Sequence, residues 1–205
     1  MTAAEKRRER FTIAEYLASE ATSEIKHEYE DGLILAMSGG SLNHSLIGGN
    51  VNTTLNNALR EEDKGCLVFN SDARVYIEAA NSFVYPDATV VCGDLETAAA
   101  DPQAIANPLL IVEVLSASTS HYDRGNKFKK YQTLPSLREY VLIDQSQAVV
   151  DVFFKENEQW IVESSIGLSA SVYLHALDIS LPLAELYRNV PDLDPPLSKV
   201  PEDAK

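Results

Sequence analysis

Lysine and arginine are scarce in this chain, 17 of 205 residues against 31 aspartates and glutamates, for a formal net charge of −14. Binding to a nucleic-acid backbone rests on cations that release counterions. The balance therefore excludes a protein that coats nucleic acid through its overall field, and leaves only local basic groups for such contact. They cluster as Lys6-Arg7-Arg8 with Arg10, read as the solvated start of a helix, and as Arg124, Lys127, Lys129 and Lys130. Cysteine is almost absent. Cys66 and Cys92 show neither metal-ligand spacing nor a disulfide framework, and are expected to be buried free thiols of a cytoplasmic protein. No run approaches the length of a membrane span, and the opening MTAAEKRRERFTIAEYLASE has charge without an apolar core, so neither a span nor a secretory leader is expected. Repeats and low-complexity blocks are missing, which excludes fibres and solenoids. The chain also lacks the aromatic richness of a sugar cleft, which argues against two-carboxylate glycosidase chemistry.

What is present is a chain that is 45% hydrophobic, enough for one well-covered core. One domain is expected over residues 1–190, followed by a proline-rich acidic tail, PDLDPPLSKVPEDAK, over 191–205. A short helix from Thr12 precedes a hairpin turned at Asp31-Gly32. Leu42, Ile47, Val51, Leu55, Ala58 and Leu59 recur at helical spacing and predict a long helix to about Glu61. CLVFNSDARVYIEAA and SFVYPDATVVCG each read as a strand, a loop follows, and LLIVEVL reads as a strand covered on both faces. Next comes a helix to about Leu134, its start marked by a capping box of Ser120 and Asp123. REYVLIDQ is a strand, AVVDVFFKENEQWIVESSIG a hairpin and LAELYRNV a closing helix. The fold class is α/β, in the order αβββαβ with additional hairpins at both ends.

Two carboxylates stand where ionised groups are expensive: Asp87 in an apolar run from Phe83, and Glu113 within LLIVEVL. Alternation places Glu113 on the face of Ile111 and Leu115, and Asp87 on that of Tyr85 and Thr89. If the two strands are neighbours, both acids converge at one sheet edge, the minimum set for a hard divalent cation that keeps several waters. Alternatively each acid pairs with an arginine, Arg74 or Arg138. At 100° per residue Arg124, Lys127, Phe128, Tyr131 and Leu134 share one side of the second helix, while Lys129 lies away from it. Lys127 thus points inward, either as the partner of Asp123 one turn earlier or as a cation aimed at the acids.

Together KHEYEDGLILAMSGGSLNHSLIGGNV, YPDATVVCG, LLIVEVLSASTSHYDRGNKFKKYQTLPSLREYVLIDQ and LPLAELY resemble the Uma2 family of restriction-endonuclease-like proteins, over about residues 10 to 190. The resemblance implies a PD-(D/E)xK nuclease core, a mixed central sheet flanked by helices. It makes Asp87 and Glu113 metal-binding acids, with the backbone carbonyl of Val114 as a further ligand. Leu115 departs from the pattern, since the superfamily motif has its lysine there; Uma2-like sequences carry it in the following helix, which points again to Lys127. Glu28 matches a family glutamate and is a candidate third acid, or an exposed hairpin residue. His44 matches a family position and falls on the apolar side of the long helix, as a site residue or a hydrogen-bonded core histidine. Tyr131 is expected to pack, and Asp72 to face solvent or line a pocket.

The resemblance implies a Mg²⁺- or Mn²⁺-dependent endonuclease, acting on DNA more than RNA, working as a homodimer. The rival expectation is an inactive module of the same fold that binds nucleic acid or a protein partner.

Overall fold

Thr12 and Glu15 cap each other's backbone, the Thr12 N–H donating to the Glu15 carboxylate at 2.7 Å, and so begin α1 (Ile13–Glu20). The computed structural model describes residues 10–195; the basic residues 6–8 and the stretch 196–205 of the expected tail lie outside the described residues. Asp31 and Gly32, both at positive φ, make the two-residue turn between β1 (His27–Glu30) and β2 (Leu33–Ala36). The Ser41 hydroxyl caps α2 (Leu42–Glu61), which buries Ile47, Val51, Leu55 and Leu59 as the spacing predicts. Gly48 and Gly49 lie in the interior of this helix, at about 1 kcal/mol each relative to alanine. Packing does not demand them, because a Cβ at either would meet no heavy atom within 4 Å.

Two predicted strands are each divided. Cys66 to Ala80 forms β3 (Cys66–Asn70) and β4 (Arg74–Ile77), and Ser82 to Gly93 forms β5 (Ser82–Val84) and β6 (Ala88–Cys92). The breaks fall at Ser71-Asp72 and at Tyr85-Pro86-Asp87. The segment expected to be a loop carries β7 (Thr97–Ala98) and β8 (Asp101–Ile105). After β9 (Leu110–Leu115) the expected capping box does not form: Thr119 stands at the N-cap without a side-chain cap bond. The helix is also not uniform. It runs as α3 (Ser120–Tyr122), a π-helical turn over Asp123–Lys127, and α4 (Phe128–Tyr131). Then follow β10 (Glu139–Asp144), β11 (Val149–Glu156), β12 (Gln159–Ile166), β13 (Ser171–Leu174), β14 (Ile179–Pro182) and the short α5 (Leu183–Leu186).

The α/β reading holds, but its strands are shared between two mixed six-stranded sheets. One has the order β2-β1-β5-β4-β8-β7 and the other β12-β11-β10-β9-β6-β3; β13 and β14 form a separate pair. The parallel neighbours are β9 with β10 and β4 with β8. On one face of the second sheet, Val112, Val114, Val141 and Ile143 pack with α2, α5 and the β13–β14 hairpin. Ile111, Leu115 and Leu142 pack instead with Phe128 and Tyr131 and with Val75, Ile77 and Val84 of the first sheet. Tyr16 of α1 closes a third cluster with Tyr29 and Phe83.

The free-thiol expectation is overturned. Cys66 and Cys92 stand opposite each other in the β3–β6 register and form a disulfide. Strand register brings them together across 26 residues, which spacing alone does not disclose. A cytoplasmic location loses the support that free thiols lent it. No helix among the described residues is long and apolar enough to cross a membrane. At the end of the chain, Pro191 accepts from Asn43 and Asp194 bridges to Gln147, so these residues sit against the domain.

Candidate active site

The β6–β9 register pairs Ala88 with Val112, so Asp87, one step before β6, falls opposite Glu113. The two acids therefore do meet at one sheet edge. Asp87 lies where the chain leaves the first sheet for the second, and its Oδ2 accepts the Val114 N–H at 2.7 Å. From α2, Asn52 donates to the Asp87 carbonyl at 3.3 Å and His44 places Nε2 3.3 Å from Asp87 Oδ2. Gly40 keeps the His44 ring in place, since a Cβ there would come within 2.8 Å of Nδ1.

The π-helical turn delivers the lysine. Lys127 Nζ lies 2.8 Å from Glu113 Oε1, 3.4 Å from Glu28 Oε1 and 3.9 Å from Asp123 Oδ1. Both sequence alternatives for Lys127 thus hold at once: it faces Asp123 and reaches the acids. Glu28 is not an exposed hairpin residue; its carboxylate accepts the Tyr85 N–H and turns toward Lys127. Tyr131, expected only to pack, also donates its hydroxyl to Glu113 Oε1 at 2.7 Å. Asp123 is thus a third acid beside the lysine, in addition to its expected place near the start of the helix. Its own backbone carbonyl accepts from Tyr140 at 3.1 Å.

The remaining candidates separate cleanly. Asp72 is exposed and pairs with Lys26, away from Lys127. Arg74 pairs with Asp101 and the Tyr85 hydroxyl, so it is no partner for either central acid. Arg124 turns outward to Asp151 at 2.6 Å although the helical wheel placed it beside Lys127. A π turn bonds i to i+5, so each residue advances by less than 100° there. Leu115, at the motif position of the lysine, is 2% exposed within the apolar core.

Electrostatics follow from three carboxylates around one ammonium, with Asp87 close by. Burial, reinforced by Asp87 and Asp123, pushes the Glu113 carboxyl up to about 8 despite Lys127. Burial likewise raises Asp123. Burial opposes the Lys127 charge, but Glu113, Glu28 and Asp123 together outweigh it and hold the ammonium well above its ordinary range. The hydrogen bond to Asp87 raises His44, against the effect of burial. Glu28, Asp87, Glu113, Val114, Asp123 and Lys127 all line one cavity of about 380 Å³.

Among the described residues no three His, Cys, Asp or Glu side chains are gathered into a metal cage. The donor set is sparser: two acids, each with one oxygen outside the hydrogen bonds described, beside a backbone carbonyl. Such a set suits Mg²⁺, which keeps several waters, better than Zn²⁺, which wants a closed ring of nitrogen and sulfur. Its surplus negative charge is what a divalent cation would neutralise.

Comparison with known proteins agrees with this architecture. The model of the Uma2 family, described as "Putative restriction endonuclease", matches residues 13–184. Two proteins of Synechocystis sp. (strain ATCC 27184 / PCC 6803 / Kazusa), both named as uncharacterized, are similar in sequence. Protein slr1290 is 36% identical over 177 residues, 86% of this chain and 90% of that one. Protein sll1609 is 35% identical over 162 residues, 78% of this chain and 90% of that one. A crystal structure titled as a "putative nuclease belonging to DUF820" from Anabaena variabilis ATCC 29413 superposes with a TM-score of 0.70 at 18% identity. It covers 86% of this chain and 97% of the other, a likeness of fold.

Proposed function

Since the chain belongs to the Uma2 family of restriction-endonuclease-like proteins, we propose that it hydrolyses phosphodiester bonds of nucleic acid at the Asp87, Glu113 and Lys127 cluster, with Mg²⁺ or Mn²⁺ as cofactor. The observation that carries this reading is the meeting of Asp87 and Glu113 beside a single buried lysine. DNA as the preferred substrate follows from kinship with restriction endonucleases. A homodimer follows from the two strands of a duplex, given one such cluster per chain.

Asp87, Glu113 and the Val114 carbonyl would hold the ion. When bound, it would acidify a water and offset charge on the phosphate. Lys127, kept cationic by its three carboxylates, is unsuited to taking a proton from that water. Its work is to fix Glu113 and to face the negative charge that builds on the phosphoryl oxygens. His44 and the Val114 N–H hold Asp87 by one oxygen and leave the other free. The water oxygen bonds to phosphorus as the bond to the leaving sugar oxygen breaks. One water proton passes to solvent, and the leaving oxygen takes one back.

The test is cleavage of supercoiled, linear and single-stranded DNA and of RNA with Mg²⁺ or Mn²⁺, in the wild type and in Asp87→Asn, Glu113→Gln and Lys127→Ala. Each variant should lose activity by about a hundredfold or more. Absence of any metal-dependent cleavage that these substitutions abolish would overturn the assignment. A second reading, a non-enzymatic binding module, is favoured by one observation: Glu113 Oε1 is already held by both Lys127 and Tyr131. Calorimetry that detects no Mg²⁺ or Mn²⁺ binding would select it.

A further inference from the structure

A second cavity, of about 560 Å³, lies beyond Asp87 and His44 as seen from Lys127, and shares with the first those two residues and the loop Met37–Gly40. One wall is the face of α2 that carries Ser45, Gly48, Gly49 and Asn52; opposite stand Lys26 and the Asn70-Ser71 turn. Its charged lining is Lys26, Asp87 and His44, and its remaining polar side chains are neutral hydroxyls and amides. Lys26 donates to the Ser71 carbonyl at 2.9 Å and pairs with Asp72, whose side chain is 73% exposed. An ion pair that solvent reaches so freely is readily exchanged for another anion.

The helix face bears on what fills this space. Close packing does not require Gly48 or Gly49, since added Cβ atoms would stand in the open, and both residues line the cavity. Bare backbone at that point admits close approach by something outside the chain. A polymer with a regularly spaced anionic backbone fits a trough whose lining holds an ammonium and is otherwise mostly neutral. Carboxylates along the trough would repel it, and the lining contains one alone, that of Asp87.

Resting on the nuclease reading, we propose that this trough seats the nucleotides next to the scissile phosphate. A flanking phosphate lies at Lys26, and the sugar-phosphate backbone lies against Gly48 and Gly49. The experiment follows binding of a fluorescent single-stranded DNA of about twelve nucleotides by anisotropy in EDTA. It also follows cleavage of the same strand and of bis(4-nitrophenyl) phosphate with Mn²⁺. Lys26→Ala and Gly49→Leu should weaken strand binding about tenfold, and lower strand cleavage more than hydrolysis of the small diester by a similar factor. Gly48→Ala, which adds a methyl in open space to a helix that favours it, should melt no lower than wild type and still weaken binding. Equal binding by variants and wild type, or no binding by the wild type, would overturn the trough. Binding that the variants weaken, with no cleavage in any divalent ion, would uphold the trough and remove the nuclease reading.

Discussion

Leu115 stands where the resemblance to PD-(D/E)xK nucleases leads one to expect a lysine, and its surroundings say what introducing that residue would do. It packs against Ile111, Phe128 and Tyr131, and is almost wholly buried. A lysine there would bring an ammonium into an apolar cluster from which Lys127 has already taken the nearby carboxylates. We expect Leu115→Lys to lower stability by about 3 kcal/mol or more, as for other uncompensated buried charges, and not to raise activity. Urea denaturation at pH 7 checks the first outcome and plasmid cleavage the second. Asp87, Glu113 and Lys127 were visible in the sequence because each breaks a regular apolar pattern. Asp123 and Tyr131 were not seen in full, since a capping acid and a packing tyrosine look alike whether or not they touch a central carboxylate.

Among the elements, the β13–β14 hairpin depends on one buried carboxylate. Glu139, at the start of β10, accepts the His175 N–H at 2.8 Å and the Ala176 N–H at 3.1 Å. Burial nevertheless dominates and lifts its carboxyl to about 7, from an ordinary 4.5. A raised folded-state value means that the fold prefers the protonated form. Its contribution to stability is therefore complete below about pH 4.5 and disappears as the pH rises through 7. Thermal melts of wild type and Glu139→Gln across this window should show a shallower fall for the variant. The β3–β6 pair carries a different constraint, the Cys66–Cys92 disulfide. Reduction, or Cys66→Ser, should cost about 2–4 kcal/mol in denaturant titrations with and without dithiothreitol. Local order was legible in α1, the first hairpin and α2, where caps, turn residues and spacing agree. It was not legible at Ser71-Asp72 or Tyr85-Pro86-Asp87, where the chain passes from one sheet to the other, because sheet membership is set by strand partners far away in sequence. The π turn leaves no compositional mark either.

Across the whole molecule, the surplus of acids sets the terms on which any polyanion is met. With a formal charge of −14, long-range attraction is unavailable and contact must rest on a few short-range cations such as Lys26 and Lys127. Cleavage should therefore fall as salt rises, but with the shallow slope of one or two phosphate contacts; rates between about 50 and 200 mM salt measure it. The two-sheet division was hidden from sequence, since neither strand partners nor sheet membership follows from alternation. That division gives Lys127 a further meaning. Glu28 belongs to β1 in the first sheet and Glu113 to β9 in the second, and one ammonium holds both. The lysine is thus a rivet through two plates as well as a charge in a pocket. Slippage of one sheet against the other would part the carboxylates before it disturbed either sheet's own hydrogen bonds, so the chemistry would be lost before the fold.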